Sequence, residues 1–185
     1  MPNVHFIDTQ QGPAWVIDDA IVESKLQYID AFRETLDLNS KRPTVDRRFF
    51  ADEIETRPMA TALEDALTTN VMMSGKFHVF QYQRFLEYRK EGASLDPHTD
   101  GTKICDDTNQ KSTHTLLLYL SDCKEGGETL ILDQCSWDAT VLYPTKPQRG
   151  RILLFPHACP HAGNTVKDVP KICLRAEVCH IPAAP

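Results

Sequence analysis

The sequence predicts an α+β fold in which N-terminal helices pack on one sheet of an antiparallel jelly roll. Three observations support this prediction. Apolar residues in the first half of the chain recur every three to four positions, as they do on amphipathic helices. From Lys76 onward, short apolar segments are broken by Gly, Pro and Asp. No helical crossover separates these segments, so they cannot form a parallel sheet.

The helices are placed by their apolar spacing. A short strand at 14–17 ends at Asp18 and Asp19, either of which is expected to cap the helix that follows. A second helix is expected to begin near Pro58. The apolar positions of the two helices are Val22, Leu26, Ile29, Phe32 and Leu36, and Met59, Leu63, Leu67 and Val71. Each set lies on one helix face, so both helices should cover the same sheet.

Nine short segments of the remaining chain are candidate strands. They are 77–82, 85–89, 94–100, 113–121, 128–132, 138–142, 150–155, 159–163 and 171–179. Two polar segments have no clear pattern. Residues 37–57 form either a solvated connection or a loop that closes over a substrate, and residues 101–112 form a polar hairpin or a flexible loop beside it.

Length and composition restrict the class of protein. The chain of 185 residues can bury a sizeable core, and without repeats or Gly/Ser linkers we expect one domain over 1–185. A net charge of −6 without a Lys/Arg block argues against nucleic acid or a membrane as the main partner. A chain of this length does not need disulfides between its six cysteines, and no leader pattern is present, so we expect a reduced protein of the cytoplasm or nucleus. The cysteines form no CxxC pair, which makes a zinc ribbon an unfavoured prediction.

His98 and Asp100 are the first residues that suggest chemistry. On a strand, residues i and i+2 point to the same face, so this imidazole and this carboxylate would converge as a chelating pair. His157 and His161 each offer a third ligand, and two histidines with one carboxylate are the ligand set of non-haem Fe(II) oxygenases. A helical zinc site is disfavoured because Pro160 would break the helix.

Five sequence blocks occur in the order typical of one family. The blocks are Tyr88-Arg-Lys-Glu-Gly92 with His98-Thr-Asp100, Leu116-Leu-Leu-Tyr-Leu-Ser-Asp122 with Gly126-Gly-Glu-Thr129, Gly150-Arg-Ile-Leu-Leu-Phe155, His161-Ala-Gly163, and Lys171-Ile-Cys-Leu-Arg-Ala-Glu-Val178. Over roughly residues 85–178, the chain thereby resembles the prolyl 4-hydroxylase-like Fe(II)- and 2-oxoglutarate-dependent dioxygenases. The resemblance implies a double-stranded β-helix, which is a jelly roll.

The resemblance also implies the metal ligands and cofactors. His98, Asp100 and His161 are expected to be the catalytic iron ligands. The distal position falls to His161 rather than His157 because Ala-Gly follows it. The implied cofactors are Fe(II), 2-oxoglutarate and O2, with ascorbate as an optional addition.

The 2-oxoglutarate carboxylate needs a cation. The family places a basic residue about ten positions after the distal histidine, where this chain has Lys171; Arg175, on the same strand face, is the alternative. The other residues expected at the cosubstrate are Tyr88, Thr115, Leu117 and Tyr119.

The implied reaction is hydroxylation of a C–H bond with release of succinate and CO2. The first expectation for the substrate is a prolyl residue of an intracellular protein or peptide. A lysyl residue, an N-methyl group or a small molecule is the alternative within the same chemistry. Two other classes are a catalytically silent jelly roll that serves as a binding module and a cupin-type metal protein that does not use 2-oxoglutarate.

Overall fold

A computed structural model describes residues 3–38, 46–50, 53–105 and 108–183. Its elements in chain order are β1 (Val4–Ile7), β2 (Ala14–Ile17), α1 (Glu23–Glu34), β3 (Asp46–Phe50), α2 (Glu53–Asn70), β4 (Lys76–Val79), β5 (Gln83–Tyr88), β6 (Leu95–His98), β7 (His114–Tyr119), β8 (Thr129–Leu132), β9 (Val141–Thr145), β10 (Ile152–Pro156), β11 (His161–Gly163) and β12 (Lys171–Ile181). All named strand pairs are antiparallel.

The strands form two sheets. The larger has the order β1-β2-β10-β7-β12-β5-β3, and β4 pairs with the far end of β12. The smaller has the order β6-β11-β8-β9. Except for β1-β2 and β8-β9, neighbouring strands in both sheets are distant in sequence, as the long connections of a jelly roll require. The expected α+β fold with a double-stranded β-helix core is therefore confirmed.

Strand β7 is buried along its whole length because both of its faces are covered. Leu116 and Leu118 belong to the apolar cluster that α1 and α2 form with the larger sheet. Leu117 and Tyr119 belong to the cluster between the sheets, together with Ile131 of β8. The alternation of strand side chains thus separates a core under the helices from a core inside the jelly roll.

The predicted cap of α1 is wrong. Val22 occupies the cap position and makes no side-chain capping hydrogen bond. Asp18 lies in the preceding turn, where its carboxylate accepts a 2.6 Å hydrogen bond from Arg151 Nε. Asp19 has a positive φ of 49°, a turn conformation that aspartate tolerates better than most residues. Both acidic residues therefore lie in the turn before the helix and not at its cap position.

The prediction for residues 37–57 is wrong over much of its length. Residues 46–50 form β3, which pairs with β5, and α2 begins at Glu53 with Pro58 inside it. Arg48 was expected in a solvated connection or a loop, but its guanidinium is buried. It lies 3.2 Å from Glu87 and donates a 2.5 Å hydrogen bond to the carbonyl of Arg33. Residues 39–45 and 51–52 lie outside the described residues.

Residues 101–112 form a polar hairpin as far as the structure describes them. Ile104 and Lys111 form an antiparallel bridge, and residues 106–107 are outside the described part.

Strand β1 was not predicted, and β9 begins three residues later than expected from the pattern at 138–142. In the described ranges, neither helix combines the length and apolar character needed to span a membrane.

Candidate metal centre and adjoining pocket

Two histidines and one aspartate meet between the two sheets. His98 ends β6 and lies opposite His161 of β11, with ring centroids 4.1 Å apart. The Asp100 carboxylate lies 4.0 Å from His98 Nε2 and 3.6 Å from His161 Nε2. One ligand atom from each residue lies within 4.8 Å of the other two. These three residues are called the candidate triad below.

The convergence of the triad does not depend on a continuous strand. Strand β6 ends at His98, whereas the sequence predicted a strand to residue 100. Asp100 is positioned instead by its backbone N–H, which donates a 2.9 Å hydrogen bond to the carbonyl of His157. The turn after β6 therefore brings the carboxylate back toward the imidazoles.

Both triad imidazoles are oriented by backbone carbonyls. Nδ1 of His98 lies 2.7 Å from the carbonyl of Asp96, and Nδ1 of His161 lies 3.0 Å from that of Cys159. A proton on each Nδ1 leaves each Nε2 lone pair available to a metal. Burial and the nearby His98 lower the pKa of His161 to about 4, which favours the neutral imidazole that metals bind.

Asp100 is held through both carboxylate oxygens. Arg175 Nη2 lies 2.9 Å from Oδ1, and Thr115 Oγ1 donates a 2.6 Å hydrogen bond to Oδ2. Burial by itself would raise the pKa of Asp100, but Arg175, His161 and the hydrogen bond from Thr115 together lower it to about 2. The carboxylate is therefore ionised and fixed in direction, as a metal ligand must be.

Behind Asp100 lies a second layer of buried polar groups. Glu177 Oε1 lies 2.6 Å from Arg175 Nη1 and 2.6 Å from Arg84 Nη2. His157 contacts Thr115 Oγ1 at 2.9 Å through Nδ1 and Ser112 Oγ at 2.7 Å through Nε2. Because both of its ring nitrogens face these hydroxyls, His157 lies outside the candidate triad. The geometry therefore favours His161 as the distal ligand.

A pocket extends from the triad between the sheets and is called the inner pocket; its unoccupied volume is about 420 Å³, including the solvent at its mouth. Lys171 lines it with only 3% of its surface exposed, and its Nζ lies 4.9 Å from the ring centre of Tyr88. Burial lowers the pKa of Lys171, since nothing in the described ranges forms a salt bridge with its ammonium group. A cation in this position is suited to an anionic ligand.

Gly127 lies beside the Lys171 side chain. Its φ of +74° suits glycine, and a Cβ at this position would lie 3.4 Å from Lys171 Cδ and 3.6 Å from Cys123 Sγ. The Gly-Gly-Glu-Thr block thus shapes the closed end of the pocket as well as the turn before β8.

The other residues predicted at the cosubstrate divide into two groups. Tyr88, Thr115 and Leu117 line the inner pocket, although Thr115 is bonded to Asp100. Tyr119 does not line it. The Tyr119 hydroxyl donates a 2.7 Å hydrogen bond to Thr129 Oγ1, and Thr129 lines the pocket. Burial raises the pKa of Tyr119, which therefore acts as a neutral donor.

Lys171 and Arg175 have different surroundings although they share a face of β12. Four strand residues span roughly 13 Å, so the two cations lie at opposite ends of the inner pocket. Arg175 is bonded to Asp100 and Glu177, whereas Lys171 faces the pocket alone. Arg175 is therefore the cation beside the candidate triad, and Lys171 is the cation at the opposite end of the inner pocket.

Sequence reasoning missed four residues of this region: Arg84, Ser112, Thr129 and Glu177. Thr129 and Glu177 belong to the motif blocks quoted above, so their positions carried a signal that was not assigned to any role. Arg84 and Ser112 have no local signal, because their contacts lie 93 and 45 residues away.

The geometry can be compared with known structures. A viral collagen prolyl hydroxylase, vCPH from Paramecium Bursaria Chlorella virus-1, has a TM-score of 0.60 at 19% identity over 91% of this chain and 96% of its own. A Pseudomonas putida prolyl-4-hydroxylase has 0.62 at 14% identity over 91% and 92%. HygX from Streptomyces hygroscopicus, solved with nickel, 2-oxoglutarate and hygromycin B, has 0.65 at 14% identity over 89% and 82%. These similarities support the fold.

No curated protein matches the chain significantly. The family model described as the 2OG-Fe(II) oxygenase superfamily matches residues 80–176. That range includes β5 to β11, all three residues of the candidate triad, and Lys171 and Arg175 of β12. Because the match covers more than half of the chain, the protein belongs to the 2OG-Fe(II) oxygenase superfamily.

Proposed function

We propose that this protein hydroxylates a prolyl residue of a protein or peptide, with His98, Asp100 and His161 as the iron ligands. The main support is that one ligand atom from each of these residues lies within 4.8 Å of the other two, at one end of a pocket that the buried Lys171 also lines. Two imidazoles and one carboxylate are a donor set that suits Fe(II) and leaves coordination positions open. The residues present therefore fit the group that the family implies.

Iron bound here would supply, with 2-oxoglutarate and O2, the oxidising chemistry that yields hydroxylated product, succinate and CO2. The protein's own contribution is orientation. His98 and His161 would bind the iron through Nε2, because their Nδ1 atoms face backbone carbonyls. Arg175 and Thr115 keep the Asp100 carboxylate ionised and aimed at the same point.

Lys171 is assigned to the distal carboxylate of 2-oxoglutarate. Its ammonium is buried and unpaired within the described residues, so an incoming carboxylate would restore the missing counter-charge. Tyr88 and Thr129 line the same end of the pocket and limit where that carboxylate can lie. Arg175 is less suited because Asp100 and Glu177 already occupy its guanidinium.

The prolyl substrate is supported by the fold similarity to two prolyl hydroxylases. A second candidate is a small molecule, which is favoured by the similarity to HygX, a protein solved with hygromycin B.

All six cysteines are free, which supports a reducing compartment such as the cytoplasm or nucleus.

The test combines spectroscopy and turnover. Fe(II) and 2-oxoglutarate are added without oxygen to search for a visible metal-to-ligand charge-transfer band, and O2 is then admitted with ascorbate and a panel of proline-containing peptides. A band with peptide-stimulated succinate and hydroxyproline in the product supports the proposal. A band without peptide stimulation rejects the prolyl substrate. If neither the band nor succinate is observed, the proposed reaction is rejected and a jelly-roll binding module becomes the favoured function.

A further inference from the structure

A second opening leads from solvent to the candidate triad and is called the outer cleft. It has a volume of about 990 Å³, including the solvent at its mouth. Its charged lining residues other than the triad are Arg47, Arg84, Lys103, Arg175 and Asp96. Four of these five side chains are basic, although the chain as a whole carries a net charge of −6. The positive charge is therefore concentrated where a substrate would enter.

Strand register places two of these cations face to face. Arg84 of β5 is directly opposite Arg175 of β12, and a like-charged cross-strand pair is unfavourable. Both guanidinium groups share one carboxylate oxygen, Oε1 of Glu177. Burial and the facing Arg175 lower the pKa of Arg84, although Glu177 and Asp100 act in the opposite direction. An anionic group in the outer cleft would further offset the repulsion between the two facing guanidinium groups.

The other two cations lie on different elements. Arg47 of β3 is directly opposite Leu86 of β5. Leu86 is two residues from Arg84, so it lies on the same face of β5, and it also lines the outer cleft. Lys103 is an exposed residue of the hairpin at 101–112. Two 2.8 Å hydrogen bonds link Lys103 to Ser112 across the base of the hairpin.

The acidic residues at the cleft offset only part of this charge, because one carboxylate oxygen of Glu177 serves both Arg84 and Arg175. Asp100 is bonded to Arg175 and Thr115 and is a proposed iron ligand. Asp96 is exposed, and its backbone carbonyl lies 2.7 Å from Nδ1 of His98. A partly enclosed cleft in which one sign of charge predominates raises the local concentration of ligands of the opposite sign.

We propose that the outer cleft binds an acidic side chain of the substrate peptide, so that the reacting proline is flanked by aspartate or glutamate. This inference rests on the proposed prolyl substrate and specifies its sequence context. Arg47, Arg84 and Lys103 are the residues that contact the acidic side chain. Arg175 is reserved for Asp100.

The test measures binding separately from turnover. Dye-labelled proline peptides that differ only in one neighbouring residue, Glu, Gln or Lys, are titrated by fluorescence anisotropy with Ni(II) and 2-oxoglutarate present. The variants are Lys103→Glu, on the exposed hairpin, and Arg47→Glu combined with it. Lys25→Glu, an exposed change on α1, is the matched control. Hydroxylation of the same peptides is followed by mass spectrometry.

The wild type and the Lys25 control are expected to bind the Glu peptide about tenfold more tightly than the Gln peptide, and salt should reduce this ratio. Lys103→Glu should reduce the preference, and the double variant should remove or reverse it. Equal binding of Glu and Gln peptides by the wild type would overturn the inference, as would a preference that survives both substitutions.

Three further outcomes separate this inference from the proposed function. Hydroxylation of Gln and Glu peptides with equal efficiency and affinity would retain the prolyl substrate and reject the acidic context. Competition by N-acetylglutamate as strongly as by the Glu peptide would overturn the assignment to a peptide and indicate a small anionic substrate. Tight binding of the Glu peptide without hydroxylation of any proline would retain the acidic site and reject the prolyl reaction.

Discussion

The guanidinium of Arg175 lies 2.9 Å from the carboxylate of Asp100 and 2.6 Å from that of Glu177. It therefore links a proposed iron ligand to a buried acid that has only 1% of its surface exposed. The planar group makes both contacts at once, which an ammonium group on a flexible stem cannot do in the same geometry. This arrangement assigns Arg175 to the orientation of Asp100.

Arg175→Lys should weaken metal binding while it retains the positive charge. Loss of the two-sided contact frees the Asp100 carboxylate, and we expect the Ni(II) affinity to fall about 10- to 100-fold by calorimetry. Arg149→Lys is the control, because Arg149 is also ion-paired but contacts Glu23 and Asp30 of α1. Unchanged affinity in the Arg175 variant would contradict the positioning role.

Lys171→Ala should raise the KM for 2-oxoglutarate about 10- to 100-fold, because a charge-assisted contact to its carboxylate is lost. Arg175→Ala should raise that KM much less, since Arg175 is bonded to Asp100 and Glu177. The measurement is succinate formation at saturating metal. The reverse order of the two effects would transfer the carboxylate to Arg175.

Asp100→Ala and His98→Ala should each abolish turnover while the fold persists, because each removes one of three proposed ligands. Succinate formation reports the activity, and circular dichroism reports the fold. Asp65→Asn, an exposed change on α2, should behave like the wild type in both assays. Full activity in either triad variant would exclude that residue from the metal site.

Glu177→Gln should destabilise the protein by about 3 kcal/mol, because it leaves Arg84 and Arg175 without their shared buried carboxylate. Urea unfolding of the metal-free protein measures the effect. Glu125→Gln is the control, since Glu125 forms an exposed ion pair with Lys167 and should contribute little. Equal stability of the two variants would show that the buried carboxylate is dispensable for the fold.

Glu87 should make the stability depend on pH. Burial raises its pKa, but hydrogen bonds from Arg33 and Arg89 and the charge of Arg48 lower it overall. A carboxyl whose pKa is depressed by folding stabilises the protein above its unfolded pKa of about 4.3, and this contribution is lost as pH falls through the folded pKa. Glu87→Gln should therefore be less stable than wild type at neutral pH.

The difference between wild type and Glu87→Gln should narrow as the pH falls below about 4. Urea unfolding at a series of pH values measures it. A difference that stays constant from neutral to acid pH would mean that the Glu87 charge does not contribute.

The sequence determined much of the fold and the residues of the site. Alternating apolar residues and turn signals predict the antiparallel strands, because each strand's burial pattern is local. The His-x-Asp pair and the later histidines were also evident, because their spacing can be seen in short segments of sequence. The motif blocks then favoured His161 over His157. Lys171 was identified by its spacing within the blocks.

Only the tertiary structure decided which charged residues act together. Arg48 reads as solvated in the sequence, yet Glu87 and α1 bury it in β3. The pairing of Arg84 with Arg175 depends on the register of two strands that are distant in sequence. The contact of Tyr119 with Thr129 depends on how the two sheets pack against each other. Periodicity reports which face of an element is buried, whereas the partner of a buried charge is set by long-range packing.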